Sequence, residues 1–396
     1  MKRNFEDCSV DSSVSIKKQR GQFFSTKAVE LLEGLEIPNS CVVVDPFCGQ
    51  CDLFQAFVGC PNNNVFELYD IEPKEPREGL ESLKLPSVIE RNTLKNPIDY
   101  TDKFVLTNPP YLAKNKTKDS MNRECCDHYK VNDLFKCFLK TLLDDENQPL
   151  GGAIVLPLAF FSSFRKKDQS LRLEFLHKFR VERLNVFEKR MFKDTSYTVC
   201  AFKFVKRPGR TLPEREEIPI SLYRDDGICL QRNLECGKGV NGTFGNEVFQ
   251  LQKMKHPDVL IHRLLDTEEE TITPNTSLTL FALDGKTRGS QIRLECTESP
   301  YFGKHSSRTK ASFNITFHGR CLTKEEEWNL VLQFNSYLDK MREKYGSLFL
   351  TQYRDGSRKR IAFTMAAAIM SNILSGSLVL QVPQVRFGRR HVGVRN

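Results

Sequence analysis

The chain has 396 residues, 39% of them hydrophobic, and a formal net charge of +9. That length exceeds one average domain and suggests two, each with apolar residues enough for a core. No apolar run approaches the roughly 18 residues that a membrane-spanning helix needs.

Residues 1–20 are polar and mixed in charge, and read as a flexible arm closed by Lys17, Lys18 and Arg20. The arm lacks the apolar run of a signal peptide, so the protein is expected to be intracellular, not secreted: cytoplasmic, or nuclear in a eukaryotic host. Its 13 cysteines have no regular spacing, and Cys41, Cys137 and Cys200 sit in apolar runs. That usage fits reduced thiols rather than a disulfide framework.

Ser25-Thr26 precedes a short predicted helix with Ala28, Val29, Leu31 and Leu32 facing inward. Cys41-Val42-Val43-Val44 is a continuous β-branched run that stops at Asp45-Pro46-Phe47-Cys48-Gly49, the pattern of a buried parallel strand and its turn. Leu53 to Val58 reads as a helix, and Val65 to Tyr69 as a second strand ending in Asp70. Phe104 to Thr107 is another strand, halted by Asn108-Pro109-Pro110. Asp133 to Leu143 has helical periodicity, and Gly151-Gly152 opens a strand over Ala153 to Leu156.

Strands alternate with helices from about residue 40 to about residue 205, which predicts an α/β fold with a doubly wound, mostly parallel sheet and right-handed crossovers. Such sheets bind ligands beyond the carboxyl ends of their strands, and Asp45, Asp70 and Asn108 all fall at such ends. After Lys206-Arg207-Pro208-Gly209-Arg210 the rhythm is lost. A boundary is therefore expected at residue 206, with 21–206 as one domain and 207–396 as a second, mixed α+β domain. In the latter, 323–345 reads as a long charged helix around Trp328, and 361–374 as a buried helix rich in Ala and Met. Residues 331–396 hold 11 Lys+Arg against 3 Asp+Glu, so most of the excess positive charge lies there. A basic region favours a polyanionic partner, and Arg358, Lys359, Arg360, Arg389 and Arg390 are candidate phosphate contacts.

Three segments carry chemistry. The glycine turn Asp45 to Gly49 lets backbone approach a ligand closely. Asp70 stands about 20 residues on from the glycine turn, where an acid can accept from both hydroxyls of a ribose. In Thr107-Asn108-Pro109-Pro110-Tyr111 two prolines fix the backbone just past a strand. They hold the Asn108 side-chain oxygen and a backbone carbonyl as convergent acceptors, matching the two donors of a planar NH₂ group, while Tyr111 supplies a flat face.

These segments together resemble the amino-group DNA methyltransferases in which the cofactor motifs precede the target-recognition region. Gly21 to Thr26 resembles the family's N-terminal cofactor motif, Asp45 to Gly49 its glycine loop, and Asp70 to Pro73 its ribose-binding segment. Asn108-Pro109-Pro110-Tyr111 matches its catalytic tetrapeptide. Asp133-Leu134-Phe135 and Gly151 to Phe161 resemble the following helix and strand, and Phe192 to Phe204 the segment with a base-stacking aromatic residue. The resemblance covers residues 21–206, about half the chain. It implies a Rossmann-like methyltransferase fold with S-adenosyl-L-methionine as cofactor, held by Phe24, Thr26, Asp45, Phe47, Cys48, Gly49, Asp70, Ile71 and Asn92.

It further implies site-specific transfer of methyl to the exocyclic N6 of an adenine flipped out of double-stranded DNA, with Asn108, Pro109, Pro110 and Tyr111 catalytic, and Tyr111 and Phe192 stacking on the base, although Phe192 reads equally as a core residue. Residues 207–396 would recognise the target sequence. No metal is required. A monomer is the family's usual state, and a companion restriction endonuclease acting on the same site is among the partners implied. Two positions depart from the pattern: Cys51 stands where a third glycine is usual, and Asn92 where an acid often reads the cofactor's adenine. The same tetrapeptide chemistry also serves RNA bases and protein glutamine amides. A different class of alternative is a non-catalytic nucleic-acid-binding protein that keeps the fold in degenerate form.

Overall fold

A computed structural model describes residues 27–378, apart from 61–62, 164, 193–197, 210, 239–243, 245–247, 249–250, 252–257, 263, 266–273, 285–290, 300–301, 304–311, 351 and 354–358. Two compact units form: Met1–Asn246 with Tyr345–Arg360, and Glu247–Lys344 with Ile361–Asn396.

The first unit is built on one nine-stranded sheet. Helix α1 (Ala28–Leu31) leads into β1 (Val42–Asp45), then β2 (Val65–Asp70), β3 (Ile89–Glu90) and β4 (Lys103–Thr107). Helices α2 (Ser120–His128) and α3 (Leu134–Leu142) follow, then β5 (Gly151–Pro157), α4 (Ala159–Ser162) and α5 (Lys166–Lys178). Four further strands complete the sheet: β6 (Phe179–Phe187), β7 (Val199–Lys206), β8 (Glu217–Arg224) and β9 (Gly227–Glu235). The order is β3-β2-β1-β4-β5-β7-β6-β8-β9. Neighbours from β3 to β5 run parallel, and β7 is antiparallel to both β5 and β6.

The chain winds from β1 outward to β3, then returns to the other side of β1 as β4. The topological switch point thus lies between β1 and β4, where an open α/β sheet leaves a crevice for a ligand. The central strands carry the core: Val43, Val44, Val105, Leu106 and Ile154 are fully buried, as expected of a parallel sheet covered on both faces. Gly151 and Gly152 admit no side chain. A Cβ on Gly151 would lie 2.4 Å from the Phe204 carbonyl oxygen, and one on Gly152 2.6 Å from that of Val105.

The sheet does not end where the sequence rhythm does. Strand β8 pairs in parallel with β6, and β9 pairs antiparallel with β8, so the unit extends past the expected boundary at 206. The antiparallel pair of Gln352–Tyr353 and Lys359–Arg360 also belongs to it. Two smaller expectations change. Residues Asp52–Phe57 form a 3₁₀ helix, and Val29 is exposed while Ala28, Leu31 and Leu32 are buried.

The second unit has a four-stranded antiparallel sheet of β10 (Val259–His262), β11 (Leu278–Phe281), β12 (Arg293–Cys296) and β13 (Ser312–Phe317), in the order β10-β13-β11-β12. Helix α6 (Lys324–Tyr345) is tied to it: Asn335 accepts from the Leu294 amide and donates to its carbonyl, both at 2.9 Å. Helix α7 (Phe363–Leu374) is apolar on nearly every face. No helix among the described residues is long and apolar enough to cross a membrane.

Candidate active site

A cavity of about 220 Å³ opens at the switch point. Asp45, Phe47, Cys48 and Gly49 after β1 line it, as do Asp70 and Ile71 after β2, Asn92 after β3, and Asn108 and Pro110 after β4. Four loops that the sequence keeps far apart therefore meet because parallel strands deliver their carboxyl ends to one edge.

The two acids are held by the loops they anchor. Asp45 Oδ1 accepts from the Phe47 amide at 2.9 Å and from the Thr107 hydroxyl at 2.6 Å. Asp70 accepts from the Gly49 amide through Oδ2 and from the Glu72 amide through Oδ1, each at 2.9 Å. The second bond set ties the β1 turn to the end of β2. Burial pushes the Asp45 carboxyl up to about 7, against the pull of the Thr107 and Phe47 hydrogen bonds, and repulsion from Asp70 adds to the rise. Asp70 is raised as well, again chiefly by burial. Asp52, also at the cavity, is paired with Arg77. A pocket with two buried, raised carboxyls favours a ligand that brings positive charge.

The turn itself explains one departure from the expected pattern. Cys51 has a φ of +60° and is fully buried. A side chain in this left-handed region costs about 1–2 kcal/mol, which glycine escapes. The loop thus keeps the bend a glycine would give it. Cys48 accompanies it: contact with Cys51, then burial, raises its thiol far above the ordinary range. Cys48 and Cys51 are free thiols.

Asn108 is half-buried and its amide meets the Tyr111 hydroxyl. The same hydroxyl lies 2.7 Å from the Val155 carbonyl oxygen. Tyr111 is 4% exposed, with the edge of its ring against Phe135 at 6.3 Å. Burial raises its phenol well above its usual value. The sequence expectation of an open stacking face is therefore corrected, because the hydroxyl is drawn inward to a backbone carbonyl. Phe192, expected to stack as well, is 2% exposed and does not line the cavity.

No protein-family model matches the chain, and no curated protein matches it. Solved structures with similar folds include a modification subunit of a putative type I restriction enzyme from Vibrio vulnificus YJ016, at 13% identity and a TM-score of 0.42 over 59% of this chain and 61% of that one. A putative class I S-adenosylmethionine-dependent methyltransferase from Listeria monocytogenes aligns at 13% identity and 0.38, over 54% and 71%. A type I restriction-modification methyltransferase subunit from Streptococcus thermophilus aligns at 17% and 0.36, over 50% and 45%. The chain spans less than two thirds of the first and third of these. Strand order and direction define the fold.

Further cavity residues come from segments with no recognisable motif. Asp119, Met121 and Asn122 reach it from the start of α2. Asp119 accepts from the Met121 amide at 2.9 Å as the helix N-cap. Thr93 is buried, with its hydroxyl donating to the Pro46 carbonyl at 3.0 Å. Asn92, the other departure, sits 3.1 Å from the Met121 sulfur and accepts from the Lys95 amide at 3.2 Å. Cys125-Cys126-Asp127-His128 lies in α2, and no metal-binding cluster of His, Cys, Asp and Glu occurs among the described residues.

The basic residues separate. Lys359 is 6% exposed, and its ammonium lies 2.5 Å from Glu188. A side chain committed to a buried carboxylate cannot reach phosphate, so its expected role in nucleic-acid contact is corrected to ion pairing inside the first unit. Arg360 beside it is half-exposed. Phe24, Thr26, Arg358, Arg389 and Arg390 lie outside the described residues.

Proposed function

We propose that this chain is an S-adenosyl-L-methionine-dependent methyltransferase acting on the exocyclic N6 of adenine in DNA. The observation that carries the reading is that one cavity joins the Asp45–Gly49 turn and Asp70 to Asn108 and Pro110. The residues fit such a cofactor: Asp70 keeps lone pairs for ribose hydroxyls, and the Asp45 carboxyl suits a cationic group. When bound, the cofactor supplies a methyl group on a positively charged sulfur, already activated for transfer.

The chain's part is positioning and electrostatics. An adenine amino nitrogen is a poor nucleophile because its lone pair is delocalised into the ring. Asn108 and the Pro109 carbonyl accept its two hydrogens, draw the nitrogen towards tetrahedral geometry and free that pair for attack. The Tyr111 hydroxyl has one proton. Given to Val155, it leaves the phenol oxygen to accept from the Asn108 NH₂ and turns the Asn108 carbonyl oxygen to the cavity; amide orientation is assigned by such partners. Because the amino group of a paired base is inaccessible, the base is extruded from the duplex, which costs a few kcal/mol.

Residues 207–396 carry the excess positive charge, which supports a nucleic-acid partner over a protein amide. In this reading the basic C-terminal segment supplies phosphate contacts, target recognition lies in the second unit, and a restriction endonuclease of the same specificity is a candidate partner. The test offers labelled cofactor with duplex DNA, RNA and protein as competing acceptors. Label in DNA as N6-methyladenine is expected. Label confined to RNA or protein would keep the chemistry and overturn the substrate, and no transfer to any acceptor would favour a non-catalytic binding protein.

A further inference from the structure

The segment 108–111 leaves the sheet at Thr107, and Pro109 and Pro110 have no N–H with which to anchor it. It is fastened just beyond. The Leu112 amide donates to Asp133 Oδ1 at 3.1 Å, and the Leu134 amide donates to the Leu112 carbonyl at 3.2 Å. Ala113 forms an antiparallel bridge with Asp133, and the Lys114 amide donates to the Asn132 carbonyl at 3.0 Å. Residues 112–114 are thereby stitched to the N-terminus of α3.

Asp133 is the one side chain in this seam. It stands at the N-cap position of α3 with extended backbone, its carboxyl facing the Leu134 and Phe135 amides of that helix as well as the Leu112 amide. An acid there ordinarily satisfies the helix's free amides; this one also reaches across the seam to the Leu112 amide. Lys136, itself bonded to Asp168 at 2.6 Å and to Asn132 at 2.8 Å, is the cation facing it, and Tyr111 and Cys126 are its other titratable neighbours. Asp133 does not line the cavity.

We infer that Asp133 is a positioning residue, fixing the exit of the 108–111 segment so that Asn108 and the Pro109 carbonyl stay in register with the substrate nitrogen. The inference rests on the function proposed above. A displacement of about 1 Å at a reacting centre lowers the rate about 10²-fold. Asp133→Ala should therefore lower kcat about 10²-fold with cofactor Kd unchanged, while Asp133→Asn, whose amide oxygen still accepts from Leu112, recovers most of the rate. Hydrogen exchange at Leu112 should be protected in wild type and Asp133→Asn, and fast in Asp133→Ala.

An unchanged kcat in Asp133→Ala overturns the inference. So does equal impairment of both variants, or a protected Leu112 amide in Asp133→Ala. Loss of cofactor binding together with rate would make Asp133 merely structural and overturns it too. A wild-type protein that transfers no methyl overturns the proposed function instead; the exchange measurement then judges the clamp by itself.

Discussion

The Thr107 hydroxyl donates to Asp45 Oδ1 over 2.6 Å, joining the ends of β1 and β4 across the point where the sheet reverses its winding. The bond holds the acid in the wall of the cavity while leaving its second oxygen without a partner among the described residues. Because burial holds Asp45 at about 7, up from 3.8, the folded chain binds this proton more tightly than the unfolded chain. The stability it contributes is complete below about pH 4 and lost as pH rises through about 7. A cationic cofactor reverses the preference by favouring the carboxylate. Its affinity should rise up to about tenfold between about pH 6 and about pH 8, with proton release, and Asp45→Asn should flatten that slope. Calorimetric titration in buffers of different ionisation heat checks both; a flat wild-type profile would remove Asp45 from the cofactor's surroundings.

Tyr111→Phe keeps the ring and deletes only the hydroxyl. The Val155 carbonyl then loses its donor inside the core, at about 1–3 kcal/mol. Equilibrium denaturation should show that loss, and kcat should fall because the Asn108 amide loses the group that orients it. Wild-type stability in the variant would mean that the bond to Val155 is not made.

Lys359 tests how charge is used. Glu188 receives Lys359 at 2.5 Å and Arg224 at 2.9 Å, with the carboxylate side chain 3% exposed. Lys359→Met leaves that acid one cation short and should destabilise the first unit by about 3 kcal/mol, the lower end for a broken buried pair, since Arg224 stays. Glu188→Gln in the same chain should restore much of it. DNA affinity per folded molecule should not change. A weaker, less salt-dependent DNA complex at unchanged stability would return Lys359 to the phosphate-binding set.

Much of the first unit was legible because its signals are local. The Val42–Val44 run is buried whole, and the prolines after Thr107 mark a strand end unambiguously. Strands β8 and β9 were not legible: Pro213, Pro219 and a cluster of Glu and Arg surround them, and their partner β6 lies tens of residues away. The return of residues 345–360 to the first unit has no local signature at all. Basic runs mislead in the same way, since Lys359 reads as surface until Glu188 is seen beside it. At the site, residue types announced the acids and the tetrapeptide, but the inward turn of Tyr111 depends on the Val155 carbonyl, which no motif encodes. Cys51 reads as a defect in a glycine pattern, and the structure shows the same left-handed bend borne by a cysteine.

The most direct test of the central claim is nucleoside analysis of unmethylated duplex DNA incubated with S-adenosyl-L-methionine and either the wild-type chain or Asn108→Ala. N6-methyladenine is expected with the wild type, with its loss by at least about 10²-fold in the variant and unchanged cofactor binding in both. Equal methylation by the two proteins would contradict that claim, because the side-chain acceptor proposed for the amino group would then have no part in the reaction.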